Sequence, residues 1–154
     1  MKVLKFGGSS LATGDRIKNV ANIIRQSTTK RKNPAVVVSA FGGITDSLIA
    51  CGNKASAGDE HYLTIQDEII NRTISIAREL FPKKDGFNDY INKISPVFDE
   101  FKGLLTGMFL LKEMSDRSLA LLLSFGERIS ALTLSSYLTY TELPASFVDA
   151  RMLI

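Results

Sequence analysis

The sequence predicts a layered α/β fold with a mainly parallel sheet and right-handed crossovers. Predicted strands and helices follow one another in the order β-α-β-α-α-α-α-β. The second strand is an unbroken run of mostly β-branched residues, and apolar residues recur at helical spacing over most of the remaining chain. With 154 residues, of which 45% are hydrophobic, the chain is long enough to bury the core of one domain.

The first strand and the first helix flank a glycine turn. Val3–Phe6 form a short apolar run that contains Lys5, and Gly7 and Gly8 end it, which predicts a strand followed by a tight turn. From Asp15 onward, apolar residues recur at i, i+3, i+4 and i+7, which predicts an amphipathic helix.

The second strand differs from the first in its pattern. Ala35–Val38 lack the alternation of a strand with one solvated face, so we predict a parallel strand buried on both faces. Gly42 and Gly43 then break the chain, and the side chain of Thr45 or Asp46 is predicted to cap the next helix.

The remaining chain is mostly helical. Apolar stripes predict one helix over 62–80 and another from about 115 to 140. Between them lies a stripe in which Ser95-Pro96 either kinks one helix or restarts it. A short third strand is predicted at 147–148. Because sheets usually have about five or six strands, and the chain stops soon after this one, we expect it to be part of a larger domain.

The charge pattern argues against a nucleic-acid or membrane partner. Lys and Arg number 19 against 16 Asp and Glu, which gives a net charge of +3. The densest basic run, Lys30-Arg31-Lys32, has no interleaved aromatic residue and fits a solvated turn better than a binding patch. No apolar stretch has the length of a signal-peptide core or a membrane span. We therefore predict a cytoplasmic protein.

Cysteine and histidine are too few for a metal centre. Cys51 is the single cysteine, so it cannot form an intrachain disulfide. Together with His61, the single histidine, it is insufficient for a zinc site or a convincing Cys-His dyad. We predict structural roles for both residues and no protein-held metal.

The glycine pairs after the two strands are candidates for anion binding. Ligands of open α/β sheets bind beyond the carboxyl ends of parallel strands. Glycine lets backbone N–H groups approach an anion there, and the N-terminus of the following helix adds positive potential. Lys5 lies close enough to the first pair for its ammonium group to reach the same anion. The spacing matches neither a Walker A loop nor GxGxxG, so ordinary tight turns remain the alternative.

Glu127 is the second unusual residue. Helical periodicity places it on or beside the apolar face of the 115–140 helix, directly after Gly126, which costs roughly 1 kcal/mol at a mid-helix position. A carboxylate on an apolar face needs a partner. A cationic ligand is one candidate, and the alternatives are an ion pair with Arg117 or Arg128 or a side chain that leans to the rim of the apolar face.

Four motifs resemble those of aspartate kinases in the amino-acid-kinase superfamily. They are KFGGSS at 5–10, SAFGGIT at 39–45, SFGE at 124–127 and FVDAR at 147–151. The motifs occur in the family's order and at its approximate spacing, and together they cover the whole chain. The resemblance implies a three-layer α/β/α sandwich of the amino-acid-kinase type, present here only in part.

The resemblance assigns one group of residues to the phosphate side of the site. Lys5 corresponds to the lysine that neutralises charge on the transferring phosphoryl group. Gly7 and Gly8 correspond to its backbone N–H donors. Ser9 stands where many relatives have threonine and keeps the hydroxyl group.

A second group is assigned to the amino-acid side. Ser39 and Thr45 resemble residues that contact aspartate, and Glu127 resembles the acid that pairs with the substrate's ammonium group. Asp149 and Arg151 lie in a family motif, and we interpret them as structural.

The resemblance implies an activity for the whole protein. It is ATP-dependent phosphorylation of the L-aspartate side-chain carboxylate to 4-phospho-L-aspartate, the first step towards lysine, threonine and methionine, with Mg²⁺ bridging the phosphates. Residues 1–154 would be the amino-acid-binding half of the catalytic domain, with a helical insertion at about 45–140 and without the nucleotide-binding half or ACT regulatory domains. The parent would be a homo-oligomer, and this chain alone would be inactive.

Three alternatives stay open at this point. The parent could be another superfamily member, acting on glutamate, acetylglutamate, carbamate or a nucleoside monophosphate. It could be a fusion of aspartate kinase with another pathway enzyme such as homoserine dehydrogenase. The chain could also be a non-catalytic fragment or binding module.

Overall fold

The computed structural model describes residues 2–28 and 33–153, and the basic run Lys30-Arg31-Lys32 lies outside them. This part of the chain is rich in helix and contains one small parallel sheet. Its elements in chain order are β1 (Val3–Phe6), α1 (Gly14–Ser27), β2 (Ala35–Val38), α2 (Ile44–Ser56), α3 (Tyr62–Leu80), α4 (Lys84–Leu111) and α5 (Asp116–Tyr140). Short 3-10 turns occupy Gly8–Leu11 and Ala150–Met152.

The first β-α-β unit forms as predicted. β1 and β2 pair in parallel, with Lys5 opposite Val37 and Phe6 opposite Val38, and α1 makes the crossover between them. The parallel register brings the carboxyl ends of both strands to the same edge of the sheet. The two glycine turns therefore begin side by side.

The prediction that β2 is buried on both faces is wrong for the described chain. Val36 and Val38 pack against the core, but Val37 is 48% exposed. Lys5 is also exposed, on the same face as its register partner Val37. The helices of this chain cover one face of the sheet only, so alternate side chains of both strands meet solvent.

The predicted helices form with clear local causes. Thr13 caps α1 with its hydroxyl oxygen, and Ser115 caps α5 in the same way. α3 has the predicted bounds. α4 runs through Pro96 without restarting, and the hydroxyl group of Ser95 donates to the carbonyl oxygen of Ile91 at 2.7 Å. No helix in the described ranges is both long and apolar enough to cross a membrane.

The core lies between the helices, with α2 packed against α3, α4 and α5. Fully buried side chains come from each of these helices: Leu48, Ile69, Phe101 and Phe125. The rings of Phe101 and Phe125 lie 5.4 Å apart and join α4 to α5. This packing fixes where α5 meets β2.

The predicted third strand does not form in the part of the chain that the structure describes. Residues 143–149 have no regular secondary structure, and a cleft of about 770 Å³ separates β2 from this segment. The hydroxyl group of Thr139 holds the segment instead, by bonds to the backbone N–H and carbonyl of Ala145. A strand needs a neighbouring strand edge to pair with. The segment lies across the cleft from β2, so the two do not pair.

Candidate active site

The two glycine turns pack directly against each other. A Cβ atom on Gly8 would lie 2.7 Å from the carbonyl oxygen of Ala40, and one on Gly42 would lie 3.3 Å from the carbonyl oxygen of Gly8. The backbone N–H of Ser39 donates to the carbonyl oxygen of Phe6 at 3.1 Å, which continues the strand pairing to this point. Only residues without a side chain allow the two backbones to approach so closely.

Gly7 has a different environment from Gly8. No heavy atom lies within 4 Å of a Cβ placed on Gly7, and its backbone has an extended conformation with φ of −79°. Any residue can adopt this conformation, so the fold does not require glycine at this position. The open space is consistent with the approach of a ligand to the backbone.

These two glycines therefore give a matched pair of substitutions. We expect Gly8→Ala to destabilise the chain by about 1–3 kcal/mol, because the new methyl group must displace the Ala40 backbone. We expect Gly7→Ala to change the free energy of unfolding by less than about 0.5 kcal/mol, as at an ordinary surface position. Urea denaturation of the two variants measures both effects. Equal destabilisation of the two variants would contradict the packing described here.

Lys5 and Ser9 are both exposed to solvent, one just before and one just after the first glycine pair. The Lys5 ammonium group forms no ion pair within the described residues, so it is available to a ligand. Ser9 is exposed within the 3-10 turn, and the guanidinium group of Arg16 donates to its carbonyl oxygen at 2.5 Å. Both side chains thus point away from the core.

The second glycine turn leads directly into α2. Gly43 is the N-cap residue, in the left-handed region with φ of +82°, and it makes no side-chain capping bond. The prediction that Thr45 or Asp46 caps this helix is therefore wrong, since both lie inside its first turn and are exposed. Because Thr45 is not needed as a cap, its hydroxyl group is open to a ligand at the positive end of α2.

The absence of a side chain at Gly126 lets α5 pack closely against the residues that follow β2. A Cβ atom on Gly126 would lie 2.7 Å from the Cβ atom of Ala40. One turn later, the hydroxyl group of Ser130 donates to the carbonyl oxygen of Ser39 at 2.7 Å and to that of Glu127 at 3.0 Å. Sequence periodicity does not reveal this bond, because a serine at such a spacing is equally consistent with a bond within its own helix. These contacts place the Glu127 turn beside Ser39.

Glu127 itself is exposed at the rim of the cleft, not buried on the apolar face. The suggested ion pairs with Arg117 or Arg128 do not form within the described residues. Arg128 instead donates to Glu100 at 2.5 Å and lies 3.4 Å from Asp149. The Glu127 carboxylate therefore faces open space, and a ligand with a positive charge could bind it.

The neighbouring charge network joins α4, α5 and the C-terminal segment beside the cleft. The Arg128 side chain is only 10% exposed, and its guanidinium group lies 4.7 Å from the ring centre of Phe125. Arg151 joins the network by donating to both Asp149 and Glu100. Hydrogen bonds from Arg128 and Arg151, respectively, lower the pKa of Glu100 and of Asp149, so both carboxylates stay ionised at neutral pH.

Cys51 and His61 take no part in the site. Burial raises the pKa of the Cys51 thiol to about 12, and the thiol donates to the carbonyl oxygen of Tyr62. His61 is exposed and bonded to Asp59. Across residues 2–28 and 33–153, no group of three or more His, Cys, Asp or Glu side chains is placed to hold a metal ion.

The structure thus joins some of the predicted site residues and leaves others separate. It brings Gly8 against the turn that follows Ser39, and it ties Ser39 to the helix that carries Glu127. Hydrogen bonds or ion pairs do not connect Lys5, Thr45 and Glu127 to one another within the described chain. Each of the three side chains is exposed, and Glu127 alone of them lines the cleft beside β2.

Known aspartokinases are similar in sequence to this chain. Aspartokinase 1, chloroplastic, of Arabidopsis thaliana is 34% identical over 150 residues, which are 96% of this chain and 25% of that protein. The bifunctional aspartokinase/homoserine dehydrogenase 1, chloroplastic, of Zea mays is 29% identical over 149 residues, which are 97% of this chain and 16% of that protein. The chain thus spans a quarter or less of the length of these two relatives.

Two solved structures of aspartokinase III from E. coli have a similar fold. The complex with lysine and aspartate, in the T-state, matches with a TM-score of 0.76 at 26% identity, over 93% of this chain and 30% of that one. The complex with aspartate and ADP, in the R-state, matches with a TM-score of 0.73 at 26% identity, over 92% and 29% of the two chains. These similarities confirm the resemblance to aspartate kinases that the motifs indicate. The profile described as the Amino acid kinase family matches residues 1–153, and the chain therefore belongs to that family.

Proposed function

We propose that this chain is the amino-acid-binding part of an aspartate kinase. The whole enzyme would transfer the γ-phosphoryl group of ATP to the side-chain carboxylate of L-aspartate. The observation that carries the proposal is the meeting of three segments around Ala40. Gly8 and Gly126 both approach this residue, and Ser130 bonds to Ser39 beside it. These contacts support the proposal that the ends of β1 and β2 and the Glu127 turn would border one site.

The first glycine turn would bind the phosphoryl group. Lys5 has no internal ion pair among the described residues, so its charge can neutralise the oxygens of the transferring group. The backbone N–H groups of Gly7 and Gly8 would donate to the same oxygens, with the hydroxyl group of Ser9 beside them. Phosphoryl transfer depends mainly on such positioning and charge neutralisation.

The second turn and α5 would bind the amino acid. The exposed Glu127 carboxylate would pair with the substrate's ammonium group. Ser39 and Thr45 would donate hydrogen bonds to its carboxylate groups. The Ser130–Ser39 bond would hold these two halves of the pocket at a fixed separation.

The reaction itself needs no general base. The side-chain carboxyl group of free aspartate has a pKa of about 3.9, so it is already ionised at neutral pH. A carboxylate oxygen attacks the γ-phosphorus, the bond to the β–γ bridging oxygen breaks, and ADP leaves with the bonding electrons. The products are 4-phospho-L-aspartate and ADP, and no proton has to move in the transfer step.

Mg²⁺ is expected with ATP, where it is usually held by the phosphate oxygens, water and one or two carboxylates. Within the described residues, no group of three or more His, Cys, Asp or Glu side chains is placed to hold a metal ion. Lys5 and the backbone N–H groups would supply charge neutralisation from this chain.

The remaining parts of the enzyme would lie outside these residues. We propose a three-layer α/β/α catalytic domain, in which α2 to α5 form a helical insertion and a nucleotide-binding half and ACT domains complete the protein. A homo-oligomer in the cytoplasm and a role in lysine and threonine synthesis belong to the same proposal. A fusion to homoserine dehydrogenase is equally compatible, since the Zea mays relative has that organisation by name.

A related kinase acting on another acceptor is the second candidate function. Glu127 discriminates between the candidate acceptors, because its carboxylate would pair with a free ammonium group, would find no charge on an acylated amine and would repel a phosphorylated acceptor. A glutamate kinase is not separated by this argument, since glutamate also has a free ammonium group.

An acceptor comparison on the full-length protein tests the proposal. We expect release of ADP from MgATP with L-aspartate, and a kcat/KM at least about tenfold lower with L-glutamate or acetylglutamate, about the discrimination that one methylene group allows. Residues 1–154 alone, the control, are expected to release no ADP, because the proposed nucleotide-binding half would lie outside them. Faster turnover of glutamate or acetylglutamate by the full-length protein would reject aspartate as the substrate.

A further inference from the structure

Arg72 contacts the second glycine turn from outside the four sequence motifs. It lies on α3 and is partly buried, and its Nη2 atom donates to the carbonyl oxygen of Gly42 at 2.5 Å. Its Nη1 atom would lie 3.4 Å from a Cβ atom on Gly43. The guanidinium group therefore packs against both glycines of the turn.

The charge of Arg72 is unusual for this position. Within residues 2–28 and 33–153, it has no carboxylate partner within ion-pair distance. It lies beside the N-terminus of α2, which is itself the positive end of a helix dipole. A cation is normally unfavourable there. Asp46 lies in the first turn of α2 but makes no ion pair with Arg72 within the described residues, and an anionic ligand at the turn would offset the charge directly.

Arg72 also restrains the backbone of the glycine turn through its hydrogen bond to Gly42. Gly43 is held in the left-handed region and serves as the N-cap without a side-chain bond. Gly8 supports the turn from one side through its close contact with Ala40 and Gly42. The bond from Arg72 to Gly42 restrains the turn through a different contact, and it is a charge-assisted bond, which is stronger than a neutral one.

We propose that Arg72 is a positioning residue for the amino-acid site. It fixes the 42–43 turn so that Thr45 and the N-terminus of α2 face the substrate, and its positive charge favours an anion there. This inference rests on the proposed function, because the substrate that the turn would hold is aspartate. Arg72 acts through the turn and is not assigned a contact with the reacting atoms.

Three variants test this role. Arg72→Met removes the charge and the bond to Gly42, and Arg72→Lys keeps the charge but loses the planar fork of donors. Arg78→Met is the matched control, because Arg78 lies on the same helix, with its guanidinium group over the Phe87 ring and away from the turn. Two measurements apply to each variant: kinetics of the full-length protein, and amide hydrogen exchange of residues 42–45.

We expect Arg72→Met to raise the KM for aspartate about tenfold, as when a bond to a charged group is lost, and to change the KM for ATP far less. Arg72→Lys should recover part of this loss. Exchange at residues 42–45 should be faster in Arg72→Met than in Arg78→Met, because the turn opens more often.

Two results would overturn the proposal: equal exchange at the turn in Arg72→Met and Arg78→Met, or an aspartate KM that rises equally in both. A failure of the proposed function itself looks different. In that case the unsubstituted full-length protein would not phosphorylate aspartate, while the exchange comparison would still decide whether Arg72 holds the turn.

Discussion

Replacing Lys5 by alanine is expected to lower the kcat of the full-length enzyme by about 100-fold or more, the usual cost of removing one group that stabilises a developing charge. The KM for aspartate should rise much less, because the lysine interacts most strongly with charge that develops in the transition state. The fold should be unaffected, since Lys5 is exposed and makes no internal ion pair within the described chain.

Lys2 provides the control for this experiment. It lies just before the same strand, is exposed, and donates to the Ser27 hydroxyl group away from the glycine turn. Lys2→Ala should leave kcat unchanged, which separates the specific role of Lys5 from a general loss of positive charge. Steady-state kinetics with aspartate and MgATP measure both variants. A Lys5→Ala enzyme with kcat within about threefold of the parent would exclude the assigned role, since that change is only a fraction of one charge-assisted bond.

Replacing Glu127 by glutamine is expected to weaken aspartate binding by about 1.5–3 kcal/mol, the usual contribution of a hydrogen bond to a charged group. Glutamine keeps the size and shape of the side chain, and the Glu127 carboxylate has no internal ion pair to lose within the described residues. The thermal midpoint should therefore stay close to that of the parent. Titration calorimetry of the full-length protein with aspartate gives the affinity directly.

Glu100 offers a matched control for Glu127. It is also a glutamate with an exposed side chain, but it pairs with Arg128 and Arg151. Glu100→Gln should lower stability slightly through the network and leave aspartate affinity nearly unchanged. If Glu127→Gln instead lowered the thermal midpoint and left the affinity unchanged, Glu127 would be a structural residue.

Local sequence patterns predict much of this fold. The stripes that begin near Asp15 and near Ser115 are strongly periodic, and α1 and α5 begin within a residue of these positions. The segment at 147–148 shows the limit of this approach. A strand depends on a partner edge, and the residues themselves do not show whether that edge is within reach.

The same distinction applies to the site. Lys5 and the glycine pairs are visible as local motifs, because their chemistry depends on neighbours in sequence. The contacts of Gly126 with Ala40 and of Ser130 with Ser39 join distant segments, and no spacing rule predicts them. The exposure of Glu127 is also a tertiary result, since it depends on how α5 lies against the sheet and the cleft.

The most direct test of the account is to trap the product's acyl phosphate. Hydroxylamine attacks the carbonyl carbon of 4-phospho-L-aspartate, displaces phosphate, and leaves a hydroxamate that gives a coloured complex with ferric iron. The full-length protein, incubated with L-aspartate, MgATP and hydroxylamine, should form one hydroxamate for each ADP released. It should form none without aspartate. Release of ADP in the presence of aspartate without any hydroxamate would contradict the central claim that this site phosphorylates the aspartate carboxylate.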